Sequence, residues 1–157
     1  MAIVDAQSVP NASSAETKGY DVGKKVSGIK RHIAVDTNGL PHGVHITAAN
    51  VTDRDGAIAL FETIAHSLDY LEKVLVDGGY TGEPFAATIR ELTEAVVEVV
   101  KRSELHTFAV IPKRWVVERC FAWLEKCRRL WRNCERLLVS SKAMVQVAFI
   151  RILLKRY

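Results

Sequence analysis

Ala2-Ile3-Val4-Asp5-Ala6-Gln7-Ser8-Val9 and Val74-Leu75-Val76-Asp77-Gly78-Gly79-Tyr80 are two apolar, β-branched runs, each ending on or enclosing one aspartate. Runs this short and this apolar read as strands buried in a sheet. An ionised carboxylate beside such a core costs several kcal/mol, about the stability of a marginal domain, unless something pairs with it. A divalent cation shared by several acids is one solution, and it also serves phosphodiester chemistry. A third acid, Glu118, follows in Arg114-Trp115-Val116-Val117-Glu118-Arg119. Taken alone, a helical glutamate is ordinarily a solvated ion pair, here with Arg114 four residues before it or Arg119 beside it.

Outward from these runs, Asn38-Gly39 separates two strand-like segments, 32–37 and 40–47, and predicts a two-residue type I′ hairpin. Thr52 or Asp53 caps a predicted helix over 54–68, with Asp55 compensating the first-turn dipole. Lys73–Val76 is a strand, 83–92 a helix and Ala95–Val100 another strand. Thr107–Ile111 reads as a strand edge or loop, and Pro112 can open the next helix. That helix is predicted long, 113–136, with Cys120, Trp123, Leu124, Cys127, Leu130, Trp131 and Cys134 on one stripe and Arg128, Arg129, Arg132 and Arg136 on the other. Ser140 or Ser141 caps a last helix, apolar nearly all round and therefore expected to be buried. The polar stretch 10–30 reads as a mobile loop. Antiparallel strands followed by strands with crossover helices make an α/β domain: a mixed five-stranded sheet flanked by helices, in a single domain over 1–157.

Composition narrows the partners. From residue 110 onward there are twelve Lys and Arg against three Glu, and before it ten against fifteen acids. An acidic half able to hold cations, joined to a basic tail, suits a polyanionic substrate. No signal peptide is evident, and no apolar run is long enough to span a membrane. Cys120, Cys127 and Cys134 recur every seven residues, which makes a helical stripe of buried thiols and a reducing, cytoplasmic setting. The five histidines lack metal-ligand spacing, the strand histidines read as residues of a solvent-facing hairpin, and Asp36 reads as a turn residue. The arginine stripe points to phosphate contacts, with no base-reading module beside it.

At these residues the chain resembles bacterial insertion-sequence transposases of the DDE type, in the IS-five family. The similar stretches are 5–9, 19–26, 30–37, 47–57, Asp77-Gly78-Gly79-Tyr80-Thr81-Gly82 and 112–129, in family order and over most of the chain. The resemblance implies a ribonuclease-H-like core in which Asp5, Asp77 and Glu118 are the catalytic, metal-binding acids for two Mg²⁺ or Mn²⁺ ions. It implies hydrolysis at transposon ends and attack of the freed 3′-hydroxyl on target DNA, carried out by an oligomer assembled on DNA. Arg114, Arg119, Lys126, Arg128, Arg129 and Arg132 are then the expected DNA contacts. Around the glutamate the family places a Tyr three residues before the Arg and a Lys seven after the Glu. Here those positions hold Ile111 and Glu125, with Lys126 one step later. The family's upstream helical DNA-binding region has no counterpart, so the resemblance is to the catalytic half. A second-frame product and a truncated or regulatory fragment that binds DNA or full-length transposase both remain open, and a structure-specific nuclease explains the acids but not the motif series.

Overall fold

Strands that are apolar at successive positions can be satisfied only between two layers, and β1 (Ala2–Pro10) shows it, with Ala2, Ile3 and Val4 all buried. The computed structural model describes residues 1–100 and 115–156. After β1 come β2 (Gly19–Asp21), β3 (Val26–Val35), β4 (Pro41–Ala48), α1 (Asp53–Ile64), β5 (Lys73–Asp77), α2 (Glu83–Thr93), β6 (Val96–Val100), α3 (Trp115–Glu125) and α4 (Leu138–Arg156). The sheet runs β4-β3-β1-β5-β6, with β3 antiparallel to β1 and β4, and β5 parallel to β1 and β6. β2 pairs with β3 through Val26–Gly28, and β4 takes over from Ile29, so the two lie end to end along one edge.

One face packs Ala2, Val4, Ala34, Val74 and Val76 against Leu60 and Phe61 of α1 and Phe85 and Ile89 of α2. The other packs Ile3, Ile33, Val35 and Leu75 against Val116, Val117, Cys120 and Leu124 of α3 and Val145 and Phe149 of α4. Each such side chain contributes about 1.5–3 kcal/mol on burial. The mixed sheet with flanking helices is the expected α/β fold.

Several local expectations are corrected. The stretch 10–30 is not one loop: it contains β2 and the first half of β3. The hairpin sits where Asn38-Gly39 puts it, but the turn is not type I′, because Gly39 (φ 89°) alone in it has positive φ. The Asp36 carboxylate accepts from the N–H groups of Asn38 (2.7 Å) and Leu40 (2.8 Å) and fixes a wider turn. Thr52 is the cap of α1, accepting from Asp55 N–H, while Asp53 turns to Lys30 at 2.7 Å. The long basic helix stops at Glu125, and residues 126–137 form a turn-rich connector. α4 begins at Leu138, so Ser140 and Ser141 lie inside it; it is half covered, with Val139, Val147, Ile150 and Leu154 exposed. His32 is fully buried, not solvent-facing. Thr107–Ile111, Pro112 and Arg114 lie outside the described residues.

Candidate active site on the α3 face

Strand alternation decides where the acids point. Ile3 and Leu75 face α3, so Asp5 and Asp77, two residues further along each strand, face it too. The β1–β5 register pairs Ile3 with Leu75, and Asp5 and Asp77 each follow that last registered pair by two residues on neighbouring strands. Gln7, next on the same face, donates from Nε2 to Glu125 Oε1 of α3 at 2.7 Å, which ties that helix over the strand.

Backbone groups orient both carboxylates. Asp5 Oδ1 accepts from Ala6 N–H at 2.7 Å. Asp77 Oδ1 accepts from Gly79 N–H at 2.8 Å and caps a single 3₁₀ turn, Gly78–Tyr80. A Cβ on Gly78 would meet nothing within 4 Å, so the backbone after Asp77 is open to close approach, as its glycines led one to expect. Arg54 Nε donates to Gly79 O at 3.0 Å, and buried Tyr80 packs on Phe85, so the turn is held from below.

Glu118 is exposed in the first turn of α3. Thus all three acids belong to one side of the sheet, two of them on neighbouring strands. Among the described residues, no group of three or more His, Cys, Asp and Glu is placed to hold a metal ion. The donor chemistry of Asp5, Asp77 and Glu118, hard carboxylate oxygens, fits Mg²⁺ or Mn²⁺.

The expected DNA-contacting residues are scattered by the end of α3. The Arg119 guanidinium stacks on Trp115 (4.5 Å) and Trp123 (4.7 Å) and donates from Nη2 to Asn38 O at 3.0 Å, joining α3 to the hairpin turn. Arg129 pairs with Glu135 at 2.9 Å, and Arg132 lies 4.9 Å over Trp131. Arg128 and Lys126 are exposed. These four sit on the connector, not on one helical face. Arg31 pins that connector by donating from Nη2 to Leu130 O at 2.8 Å, and burial lowers its guanidinium to about 10, with Glu125 opposing.

Sequence reasoning missed a polar cluster on the opposite face. Lys30, 5% exposed, meets Asp21 (3.2 Å), Asp53 (2.7 Å) and Val51 O (2.8 Å). Burial works against the Asp21 carboxylate, but bonds from Ser8, Lys24 N–H and Lys30 hold it at about 2. Lys30 and His32 share the face of Ala34, and the cover that α1 lays over that face leaves no local signal in the sequence.

Comparison with known proteins agrees with this geometry. The family profile of the transposase DDE domain matches residues 1–153. A Burkholderia cepacia protein, described as a transposase for insertion sequence element IS402, is 33% identical over 132 residues, covering 80% of this chain. The chain spans 60% of that relative's length. Among solved structures, the catalytic core domain of BIV integrase superposes with TM-score 0.55 at 12% identity, over 95% of this chain and 80% of that one. A chain of the simian T-cell lymphotropic virus intasome, in complex with PP2A regulatory subunit B56 gamma, gives 0.57 at 15% identity, over 94% and 46%. At such identities the likeness concerns the fold, a ribonuclease-H-like one. With the strand order and the match along nearly its whole length, the chain belongs to the transposase DDE domain family.

Proposed function

We propose that this domain, within the IS-five group, carries out metal-dependent hydrolysis and strand transfer at insertion-sequence ends. The observation that supports it most is that Asp5 and Asp77, on adjacent parallel strands, both face the helix that bears Glu118. Asp5, Asp77 and Glu118 would hold two Mg²⁺ or Mn²⁺ ions, which when bound supply Lewis-acid activation of the attacking oxygen and stabilisation of the leaving one. The chain's own part is placement. Ala6 N–H and Gly79 N–H fix the two aspartates, Gly78 leaves room for a phosphate, and the basic connector with Lys126 and Arg128 attracts the polyanion. Its partners are then DNA ends and target DNA, with further copies of the chain assembled on them.

The test is Mn²⁺-dependent nicking and joining of a duplex carrying the element's ends, with Asp77→Asn in parallel. Activity in the native chain, at least about 10³-fold lower in the variant, is the expected result. Undiminished joining by Asp77→Asn would sink the assignment. A second reading, a domain that binds DNA without cutting it, is favoured by one observation: the described acids are not assembled into a three-carboxylate cage. Binding without cutting in the native chain would select it.

A further inference from the structure

The end of α3 and the last turns of α4 enclose a cleft of about 430 Å³ lined by Trp123, Lys126, Cys127, Arg151, Ile152, Lys155 and Arg156. Four of these seven carry positive charge and none is acidic. Favourable interaction with the C-terminal dipole of α4 accounts for Lys155 and Arg156. It does not account for Lys126, which comes from the connector, or for Arg151, which lies before the last turn. Among the described residues, Arg151 Nη1 finds a weak acceptor, Cys127 Sγ at 3.9 Å. The Arg156 guanidinium lies 4.5 Å over the Trp123 ring, so its plane is held by stacking and its N–H edge stays available.

We infer that this cleft binds backbone phosphates of duplex DNA, through Arg151, Lys155 and Arg156 together with Lys126. The inference rests on the proposed function and extends it to α4 residues that neither the arginine stripe nor the acids indicated. Phosphate is favoured over an unstacked base because the one aromatic ring in the cleft already lies under the guanidinium groups of Arg119 and Arg156. Glu125, at the cleft's end of α3, lies seven residues from Glu118, about 10 Å along the helix axis. That equals about three base-pair steps of duplex, so a strand cut near Glu118 would be gripped here a few steps away.

Fluorescence anisotropy on a 30-base-pair duplex of arbitrary sequence, over a salt series, tests this with the full chain and with R151Q/K155Q, both exposed positions. The expected result is at least about tenfold weaker binding at about 0.1 M salt and a log–log salt slope smaller by about 2, since each phosphate left unneutralised removes about 0.9 from the slope. Equal affinity and slope would overturn the inference, as would a native chain that binds no duplex. A weakening confined to a single-stranded oligonucleotide would overturn the duplex assignment as well. The outcome is independent of cleavage, which is read separately with Asp77→Asn. Cutting by that variant would count against the three acids and leave the cleft result standing.

Discussion

His32 carries no charge in the folded protein. Burial pushes its imidazole from 6.5 down to about 3; Asp53 pulls the other way, and His45, Lys30 and Lys24 reinforce the drop. Nε2 meets Thr47 Oγ1 at 2.9 Å. Below about pH 6.5 the unfolded chain takes up a proton that the fold refuses. Stability should therefore fall as pH drops from about 6.5 toward about 3, by up to about 1.4 kcal/mol per unit. Urea midpoints at pH 7 and pH 5 measure it: a decrease is expected in the native chain and a smaller one in His32→Gln. Gly56 of α1 lies against the same ring, where an added Cβ would come within 2.0 Å. Ala for Gly in a helix ordinarily gains about 1 kcal/mol. Here the sign should reverse, with Gly56→Ala losing about 1–3 kcal/mol by overpacking. A variant that melts higher than the native chain would contradict this packing. His32 was misread because its strand looked like one side of an exposed hairpin, and nothing local in the sequence announces that α1 covers it.

At the scale of elements, legibility followed how local the deciding interaction was. Apart from β2 and the first half of β3, the strands and the first two helices stand within a few residues of where periodicity puts them, since alternation and caps are properties of neighbouring residues. The turn at Asn38-Gly39 was located correctly but given the wrong type, because the Asp36 side chain, not the dipeptide, fixes it. The end of α3 was invisible for a related reason. Cys127 and Leu130 are buried in successive turns, with Cys127 N–H on Leu124 O and Leu130 N–H on Cys127 O, so the apolar stripe outlasts the helix. What holds the connector is long-range: Asn133 donates from Nδ2 to Asn11 Oδ1 (2.9 Å), accepts from Ser141 Oγ at Oδ1 (2.8 Å), and donates its N–H to Pro10 O. Asn133→Ala would leave half-buried Asn11 Oδ1 without this donor and Ser141 Oγ with Leu137 O alone, and we expect a loss of about 1–2 kcal/mol in urea unfolding. A loss under about 0.5 kcal/mol, the size of an ordinary surface substitution, would mean that the connector is held elsewhere.

Across the whole molecule, Asp77 was legible as a strand end, whereas Asp5 lies inside β1, and the reading of Glu118 rests on family resemblance, since an exposed helical glutamate has no distinguishing surroundings. If the aspartates bind Mn²⁺, a saturating excess should raise the unfolding midpoint by several degrees, and Asp5→Asn/Asp77→Asn should lose that rise. An equal rise in both proteins would place the ion elsewhere. The sheet also joins two unequal halves. β1, β3 and β4 form an antiparallel meander within the first 48 residues, whereas the β1–β5 ladder is registered only at Ala2–Val74 and Ile3–Leu75. Sequence-local meanders close quickly, and distant parallel pairings close slowly. During synthesis, then, the meander can form while Asp77 is still to come, and Asp5 waits without its counterpart. If this pair serves cutting as proposed, that capacity arrives only with a long-range step of folding, and a nascent or half-opened chain would be a harmless one.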